Sequence, residues 1–308
     1  MSLLLTLLFT IVSYNCENLF DCRHDSLKND TEFLPNSERH WSFGRYWNKL
    51  NNIGRVIQQC GGETLPDVVA LLEVENDSTL FMLTKRSMLR GAGYRYVMTN
   101  SQDMRGIDVA IMYNPLTFSL EKSYSVRPEV ENLLTRDILY AKGVVRARDT
   151  LHIFVVHAPS RRGGQTSTEK NRLQVEKRMM QSVDSIRSTE PSAKIVLMGD
   201  FNDYSNDKAL KDIVSSGFIE ISYGIKGTNY KETKVSGTYK YQGAWNSLDH
   251  IFISDNSKKY VEKCFIYDAK WLLEEDLQGG YKPFRTYLGP RYHHGISDHL
   301  PIVLQLKL

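Results

Sequence analysis

Short apolar runs bounded by turn residues recur along this 308-residue chain and constrain its fold more than any other feature. They predict β-strands, because a buried strand needs only about four to eight apolar residues whereas a helix needs about ten or more. Helical spacing of apolar residues is confined to 50–60, 80–89 and 168–188, and Pro191 ends the last of these. The predicted strands lie at 7–14, 67–73, 94–98, 107–114, 138–146, 151–157, 194–199, 235–240, 248–253, 260–267 and 301–306.

Two stretches of the chain share a helix followed by a strand that ends in a carboxylate. The strand at 67–73 ends at Glu73, and the segment 193–200 ends at Asp200. This similarity predicts two packed, mostly antiparallel sheets with helices outside them, a four-layer α/β/β/α sandwich of the α/β (α+β) class. No proline-rich or serine-rich linker divides the sequence, so we expect residues 1–308 to form a single domain.

Acidic, amide and imidazole residues stand repeatedly where a predicted strand ends. Strand ends on one rim of a sandwich can converge on a single cleft, so the repetition predicts one polar site. The pattern occurs in seven segments: 13–18 (SYNCEN), 71–76 (LLEVEN), 105–108 (RGID), 156–159 (VHAP), 198–203 (MGDFND), 248–250 (LDH) and 296–301 (ISDHLP).

The residue types at these positions indicate phosphate chemistry. Oxygen ligands without cysteine suit Mg²⁺ or Mn²⁺ better than zinc. A bound cation, with cationic imidazole or guanidinium groups, would offset the charge that develops during hydrolysis of a phosphate ester. Taken alone, Glu73 or Asp298 would more often cap a turn, and His157 would more often be structural. Their combination predicts a metal-dependent phosphoesterase.

The motifs and their order resemble the endonuclease/exonuclease/phosphatase family, which includes pancreatic deoxyribonuclease, abasic-site endonucleases, inositol polyphosphate 5-phosphatases and bacterial sphingomyelinases. The resemblance spans residues 13–301, and its most specific parts are Gly199-Asp200-Phe201-Asn202 and Ser297-Asp298-His299. It implies the four-layer sandwich and a hydrolase that depends on Mg²⁺ or Mn²⁺.

The resemblance also implies which residues surround the metal. Glu73 corresponds to the principal ligand, and Asp298 is expected to contribute to the same site. Asn15 lies where the family places an amide that lines the metal and phosphate site. Glu17 stands two residues further on, where relatives often carry a supporting acidic group.

Catalytic roles follow from the same resemblance. Asp200 resembles the carboxylate that orients or deprotonates the attacking water, and Asn202 the amide that contacts the phosphate or the nucleophile. His299 and His157 resemble two imidazoles that face the phosphate in deoxyribonuclease-like members. We expect Asp249 to hydrogen-bond His299 and to raise its pKa, so that this ring stays cationic near neutral pH.

Four further residues are supporting candidates. Asp108 is expected to orient His157, with solvation of a strand edge as its alternative role. Arg161 and Arg162 precede Gly163-Gly164 and are placed to bind phosphate oxygens from a loop, although an exposed surface pair would look the same. Arg105 is a similar candidate.

The substrate is less constrained, because one catalytic centre serves the whole family. Segment 157–164 resembles that of bacterial nuclease-like members. Five aromatic residues are candidates for stacking on bases, with packing in the core as their alternative role: Trp41, Tyr46, Trp47, Trp245 and Tyr292. The net charge of the chain is only +3, whereas a protein that neutralises many phosphates usually has a marked excess of basic residues.

We therefore predict a phosphodiesterase, endonuclease-like, acting on nucleic acid. The alternative is a phosphatase or phosphodiesterase acting on an inositol phosphate, a phospholipid headgroup or another small phosphorylated molecule. An inactive binding protein on the same fold is a third hypothesis, which the intact Glu73, Asp200 and His299 argue against.

The N-terminal apolar stretch and the cysteines give weaker evidence, which concerns location and disulfide formation. The apolar stretch 3–12 is too short to cross a membrane and lacks the flanks of a signal peptide, although it also fits the remnant of a trimmed export signal. Exported and cytoplasmic locations both stay open, and we expect a monomer. Cys16, Cys22, Cys60 and Cys264 form no CxxC pair, and free thiols are the default expectation, with a Cys16–Cys22 disulfide left open for an exported protein.

Overall fold

A computed structural model describes residues 8–130 and 133–308. The strands are β1 (Phe9–Leu19), β2 (Val68–Val74), β3 (Arg95–Met98), β4 (Asp108–Tyr113), β5 (Phe118–Val126), β6 (Ile138–Val145), β7 (Asp149–His157), β8 (Ile195–Asp200), β9 (Phe218–Glu220), β10 (Tyr239–Tyr241), β11 (Ala244–Asn246), β12 (Asp249–Ser254), β13 (Val261–Ile266), β14 (Leu273–Glu275), β15 (Tyr281–Pro283), β16 (Tyr287–Leu288), β17 (Arg291–Tyr292) and β18 (Ile302–Leu306). The α-helices are α1 (Phe43–Cys60), α2 (Asp77–Lys85), α3 (Gln165–Thr189), α4 (Lys208–Ser215) and α5 (Tyr230–Thr233).

Two six-stranded sheets form the centre of the protein. Their strand orders are β13-β18-β1-β2-β4-β3 and β5-β6-β7-β8-β12-β9. Each sheet has one parallel pair, β1 with β2 and β7 with β8, and its other pairs are antiparallel. A helix connects each parallel pair, α1 in the first sheet and α3 in the second, as a crossover requires. Each helix followed by a strand that we expected from the sequence is part of one of these crossovers: α1 with β2 in the first sheet, and α3 with β8 in the second.

Alternating side chains divide the apolar core into three layers. On β2, Val69 and Leu71 pack on the side of α1, whereas Val68, Ala70 and Leu72 pack against the second sheet. The strands of the second sheet alternate in the same way between the first sheet and α3. This arrangement confirms the four-layer α/β/β/α sandwich. Because both faces of each sheet are covered, the central strands are apolar throughout.

The register of the second sheet gathers polar residues at one rim. His157 at the end of β7 is the partner of Asp200 at the end of β8, and Asp200 is in turn the partner of Asp249 at the start of β12. In the first sheet, Asn15 pairs with Leu72, directly before Glu73. Polar residues at strand ends therefore meet, which is why their position in the sequence was informative.

Gly199, directly before Asp200, is required by a close approach of two strands. Its φ is +136°, and a Cβ atom at this position would lie 2.0 Å from the carbonyl oxygen of Val156 on β7. Any other residue would push β8 away from β7. The glycine thus allows the strand that carries Asp200 to stay next to the strand that carries His157.

Several elements differ from the sequence-based expectation. Strand β5 was not predicted, because it is an edge strand on which only the terminal Phe118 and Val126 are buried. Helix α1 begins at Phe43, well before Leu50, where the expected helical spacing begins. Helix α2 ends at Lys85 and is followed by a separate 3-10 helix over Met88–Gly91. The strand expected at 235–240 is reduced to β10.

The remaining expectations concern the chain ends and cysteines. Residues 1–7, which include much of the apolar stretch considered as an export remnant, lie outside the described residues. Among the described helices, none combines the length and apolar character needed to span a membrane. All four cysteines are free thiols, as expected.

Candidate active site

A cleft of about 490 Å³ lies at the polar rim and gathers most of the residues predicted from the sequence. Three of the predicted residues lie behind the cleft wall. Asn15 and Asp249 are hydrogen-bonded to the lining residues Asp200 and His299, respectively, and Glu17 is hydrogen-bonded to the backbone N–H of Thr286. The cleft is lined by Glu73, Arg105, His157, Ser160, Arg161, Arg162, Asp200, Asn202, Tyr204, Tyr239, Tyr241, Leu248, Asp298 and His299.

Asp200 stands at the centre of the site. Its Oδ1 accepts a hydrogen bond from the backbone N–H of Asn202 at 2.8 Å, and its Oδ2 accepts one from Asn15 Nδ2 at 3.1 Å. The same Oδ2 lies 3.8 Å from His157 Nε2 and 3.9 Å from His299 Nε2. Burial and the neighbouring Asp249 raise the pKa of Asp200 to about 7. A carboxyl group with this pKa can exchange a proton with water near neutral pH.

His299 is held by a buried carboxylate. Its Nδ1 lies 2.7 Å from Asp249 Oδ2, and that oxygen also accepts a hydrogen bond from Thr238 Oγ1 at 2.6 Å. Burial lowers the pKa of His299, but the carboxylates of Asp249, Asp298 and Asp200 outweigh burial and keep the pKa well above its ordinary value. The ring is therefore cationic at neutral pH, with Nε2 directed to the cleft as a donor.

His157 has the opposite tendency. Burial, Arg136 and Arg105 lower its pKa well below the ordinary value, so this ring is neutral. Arg136, which sequence reasoning missed, donates to the carbonyl oxygens of His157 at 3.2 Å and Ala158 at 2.6 Å and pairs with Asp103. These contacts fix the backbone that carries His157. Only the run of three polar residues at 135–137, directly before the apolar strand β6, could have hinted at Arg136.

The expected contact between Asp108 and His157 is not present. Asp108 accepts hydrogen bonds from Thr99 Oγ1 at 2.5 Å and from the backbone N–H of Ser101 at 3.1 Å. His157 Nδ1 has no hydrogen-bond partner among the described residues. Asp108 therefore fixes the turn after β3, and its assignment as the orienting residue was wrong.

Two carboxylates face the cleft with one oxygen engaged and one oxygen without a hydrogen bond among the described residues. Glu73 Oε2 accepts from the backbone N–H of Asn18 at 2.8 Å and lies 3.7 Å from Arg105. Asp298 Oδ2 accepts from Arg285 at 2.8 Å. The remaining oxygen of each is a hard donor of the kind that Mg²⁺ and Mn²⁺ prefer. The residues thus fit the divalent cation on which the matching family generally depends.

Glu17 is a structural support rather than a phosphate contact. Its two oxygens accept hydrogen bonds from the backbone N–H of Thr286 at 2.7 Å and from Arg285 Nε at 3.3 Å. Burial and the neighbouring Asp298 raise its pKa to about 7. Beneath it the fully buried Lys49 donates to the backbone oxygens of Glu17 at 2.7 Å and Ile296 at 3.0 Å. Lys49 and Arg285 were not identified from the sequence, because neither lies beside a strand-end motif.

The backbone of the site is strained at several non-glycine residues. Positive φ angles occur at Glu17 (48°), Asn18 (56°), Glu73 (61°) and Asn202 (51°). This region is unfavourable for residues with a Cβ atom, at a cost on the order of 1 kcal/mol each. Strain concentrated at the residues that line or support a cleft is typical of a functional site.

The three arginines differ in how firmly they are held. Arg161 Nη1 lies 2.6 Å from Asp207 Oδ2 and 3.3 Å from Asp203 Oδ1, and its guanidinium lies over the ring of Tyr204. Arg162 is exposed. The half-exposed Arg105 donates to Asn18 Oδ1 at 2.7 Å. All three guanidinium groups lie on the cleft wall.

The aromatic residues of the cleft are not those expected. Trp41 and Tyr46 are buried in the core beneath the first sheet, so they cannot stack on a substrate. Trp47, Trp245 and Tyr292 are partly buried against the same core. The cleft is lined instead by Tyr204, Tyr239 and Tyr241.

Among the described residues, Asp200, Asp249 and His299 form a group whose donor atoms lie within 4.8 Å of one another. We interpret this group as a hydrogen-bonded acid and imidazole arrangement rather than the metal site. His299 Nδ1 is already engaged by Asp249, and a cationic imidazole repels a metal ion.

Comparison with known proteins identifies the family and the fold. A model of the Endonuclease/Exonuclease/phosphatase family matches residues 10–308, whereas a search of curated proteins gave no match. Similar solved structures include an endonuclease/exonuclease/phosphatase family protein from Bacteroides thetaiotaomicron, with a TM-score of 0.63, 15% identity and 97% of both chains covered. Truncated Caenorhabditis elegans TDP2 gives a TM-score of 0.58 at 15% identity over 97% of both chains. A Bacteroides thetaiotaomicron mannosyl-6-phosphatase gives 0.59 at 15% identity over 97% of this chain and 99% of that one. At such identities the likeness shows the fold alone.

Proposed function

Because this chain belongs to the endonuclease/exonuclease/phosphatase family, we propose that it is a divalent-metal-dependent phosphodiesterase that cleaves nucleic acid. The observation that carries the proposal is the arrangement around one carboxylate oxygen. Asp200 Oδ2 has Asn15 Nδ2 at 3.1 Å and the two imidazole Nε2 atoms at 3.8 and 3.9 Å. These separations suit a water molecule and a phosphate oxygen lying between the groups.

Each group has a role in hydrolysis under this proposal. Asp200 orients the attacking water and takes its proton, with Asn15 and the Asn202 N–H holding the carboxylate in place. Cationic His299 donates to a phosphate oxygen, and Asp249 keeps the ring charged and in position. Asn202 and neutral His157 bind the phosphate from the other side.

The metal site is proposed at Glu73 and Asp298, with Asn15 beside them. A divalent cation bound there would neutralise charge on the phosphate. Glu73 is positioned for this by the N–H of Asn18, and Asp298 by Arg285.

We take residues 1–308 as a single domain, which the apolar core shared by the two sheets supports.

Nucleic acid is favoured as substrate by the cationic wall and the tyrosines. Arg105, Arg161 and Arg162 line one cleft with Tyr239 and Tyr241, a combination that suits a phosphate backbone with attached bases. The second candidate is a small phosphorylated molecule, because a cleft of about 490 Å³ could enclose one.

The test is an activity panel with Mg²⁺, Mn²⁺ or chelator against plasmid DNA, single-stranded RNA, inositol polyphosphates, sphingomyelin and a chromogenic phosphodiester. We expect nicking of plasmid DNA and loss of activity with chelator. Hydrolysis of phosphomonoesters without cleavage of any nucleic acid would favour the second candidate.

Substitutions at the centre of the site test the assigned chemistry. Asp200→Asn and His299→Ala should each slow hydrolysis by roughly 100-fold or more, because they remove a base and a charged donor. Circular dichroism should show an intact fold in both variants. Rates equal to those of the wild type would refute the roles and revive the hypothesis of an inactive binding protein.

Glu73→Gln tests the metal site separately. We expect the Mn²⁺ concentration needed for half-maximal activity to rise, and calorimetry to show weaker Mn²⁺ binding to the protein without substrate. The matched control is Glu63→Gln, an exposed glutamate in the turn between α1 and β2. Unchanged Mn²⁺ binding in Glu73→Gln would remove this residue from the ligand set.

A further inference from the structure

The cleft continues into a second groove of about 400 Å³. Tyr239, Tyr241 and Asp298 belong to the walls of both. Two hairpins build the second groove, β10–β11 on one side and β14–β15 on the other. A group attached to a phosphate in the cleft would therefore enter the groove along the two tyrosines.

The tyrosines stand on a rigid support. They are two positions apart on β10 and so face the same side, whereas Lys240 between them faces the other hairpin. The Lys240 side chain is only 4% exposed, pairs with Asp276 at 2.9 Å and donates to the backbone oxygens of Gly279 at 2.8 Å and Tyr281 at 3.0 Å. These contacts lock the hairpins together, so little order must be gained when a ligand binds.

The tyrosine pair leads directly away from the catalytic histidine. Tyr239 forms a backbone bridge with His299, and the two ring centroids are 5.1 Å apart. Tyr241 lies one strand repeat further out, and its side chain is 57% exposed. One exposed aromatic face is thus available on the wall that the cleft and the groove share.

We propose that the groove binds the nucleoside joined to the scissile phosphate, with the ring of Tyr241 stacked on its base. This inference rests on the proposed function and deepens it by naming the groove and the residue that bind the base. Base stacking on an aromatic side chain is tolerant of sequence. The amides of Gln242 and Gln278 in the groove wall can donate to and accept from base edges.

Other occupants fit the groove less well. Sugar hydroxyls are usually bound by unengaged carboxylates, but Asp276 is paired with Lys240, and Asp298 has one oxygen on Arg285 and its other oxygen assigned to the proposed cation. An acyl chain needs a continuous apolar surface, whereas the exposed apolar residues of this wall are Leu277 and Leu288, separated by polar side chains.

The experiment compares two diesters with the same leaving group, thymidine 5′-(p-nitrophenyl phosphate) and methyl p-nitrophenyl phosphate. The measured quantity is the ratio of their kcat/KM values in the wild type, Tyr241→Ala, Tyr241→Phe and Tyr223→Ala. Tyr223 is 68% exposed and lies outside both walls, so it is the matched control. Circular dichroism checks that each variant is folded.

We expect the wild type to prefer the thymidine ester and Tyr241→Ala to lower that preference by about 10-fold, mainly through KM. Tyr241→Phe keeps an aromatic face and should retain the preference, as should Tyr223→Ala. An unchanged ratio in Tyr241→Ala, with both esters still hydrolysed, would overturn the inference alone. Hydrolysis of neither ester by the wild type would also overturn the inference, whereas failure to nick plasmid DNA would refute the proposed function with it.

Discussion

Two histidines approach one carboxylate oxygen, yet their surroundings give them opposite charges. His157 is buried beside Arg136 and Arg105, which lower its pKa, whereas Asp249 and the other nearby carboxylates keep the pKa of His299 high. Under the proposed function, His299 would carry most of the electrostatic stabilisation, because a cationic donor interacts more strongly than a neutral one with charge that develops on the phosphate. His157 would contribute as a neutral donor or acceptor.

The three arginines of the cleft should not contribute equally. Arg161 is held by Asp207, Asp203 and the ring of Tyr204, whereas Arg162 is exposed and makes no ion pair among the described residues. A side chain that is already ordered loses less entropy when it binds a phosphate. We therefore expect Arg161→Ala to raise KM for a phosphodiester by about 10-fold or more, and Arg162→Ala by no more than about twofold.

Steady-state kinetics on the two neighbouring variants decides this point. The pair is well matched, because both substitutions remove one guanidinium from the same loop. Equal increases in KM would mean that binding depends on total charge rather than on a positioned group. In that case, raising the salt concentration should weaken binding to both variants to the same extent.

The predictability of individual residues followed their position relative to strand ends. Asp200, Asp249 and His299 were found because each directly borders a buried strand whose apolar run is visible in the sequence. Arg285 and Lys49 were missed because Arg285 lies in the short connection between β15 and β16, two strands that the sequence did not reveal, and Lys49 lies on helix α1. Both residues contact Glu17, which is 268 residues from Arg285 and 32 residues from Lys49 along the chain.

At the level of elements, periodicity succeeded for the sandwich interior and for β3 and β13, the edge strands of the first sheet, but failed for β5 and β9, the edge strands of the second sheet. Strand β8 is buried along its whole length and reads as a continuous apolar run, whereas the edge strand β5 is mostly exposed and carries polar and charged residues. An edge strand forms because a neighbour supplies hydrogen bonds, a condition that its own sequence does not express. Of the short hairpin strands, only β10 was partly anticipated, as the strand expected at 235–240, whereas β11, β14 and β15 were missed for the same reason.

Helix α3 contains a carboxyl group whose ionisation opposes folding. Burial, and secondly Asp212 on the neighbouring α4, raise the pKa of Glu176 from an ordinary value of 4.5 to about 7. Between these values the folded protein holds a proton that the unfolded chain has lost. The contribution of this group therefore makes the folded state less stable as pH rises from about 4.5 to 7.

Glu176→Gln should remove this pH dependence. We expect the free energy of unfolding at pH 8 to increase by roughly 1 kcal/mol, a value discounted because the carboxyl is partly exposed. Urea denaturation at pH 5 and pH 8 measures the effect, with Asp184→Asn on the exposed face of α3 as the control. The same gain at both pH values would show that ionisation of Glu176 is not the cause.

On the scale of the whole molecule, the site depends on the two ends of the chain meeting. Asn15 lies on β1, and Asp298 and His299 directly precede β18, which sits between β1 and β13 in the first sheet. Ser297 Oγ donates to the backbone oxygen of Asn15 at 2.7 Å and joins these segments at the rim. The residues of the centre are therefore assembled only when the first sheet is complete.

Leu304 on β18 offers a way to separate stability from catalysis. It is fully buried between the sheets and is the strand partner of Ile11 on β1 and Cys264 on β13. Leu304→Ala should lower the free energy of unfolding by about 2–5 kcal/mol, because it leaves a cavity that the packed sheets cannot close. Lys307→Ala, at the exposed end of the same segment, should change it by less than about 0.5 kcal/mol.

Activity should respond differently from stability. At temperatures where circular dichroism shows Leu304→Ala to be fully folded, kcat/KM should stay within about twofold of the wild type, because the cavity lies between the sheets and the rim contacts remain. The Tm should fall, and activity should disappear at the temperature where the sheet signal disappears. Loss of kcat in the folded range would mean instead that packing between the sheets sets the geometry around Asp200 directly, so the rim could not be treated as a rigid edge of the sandwich.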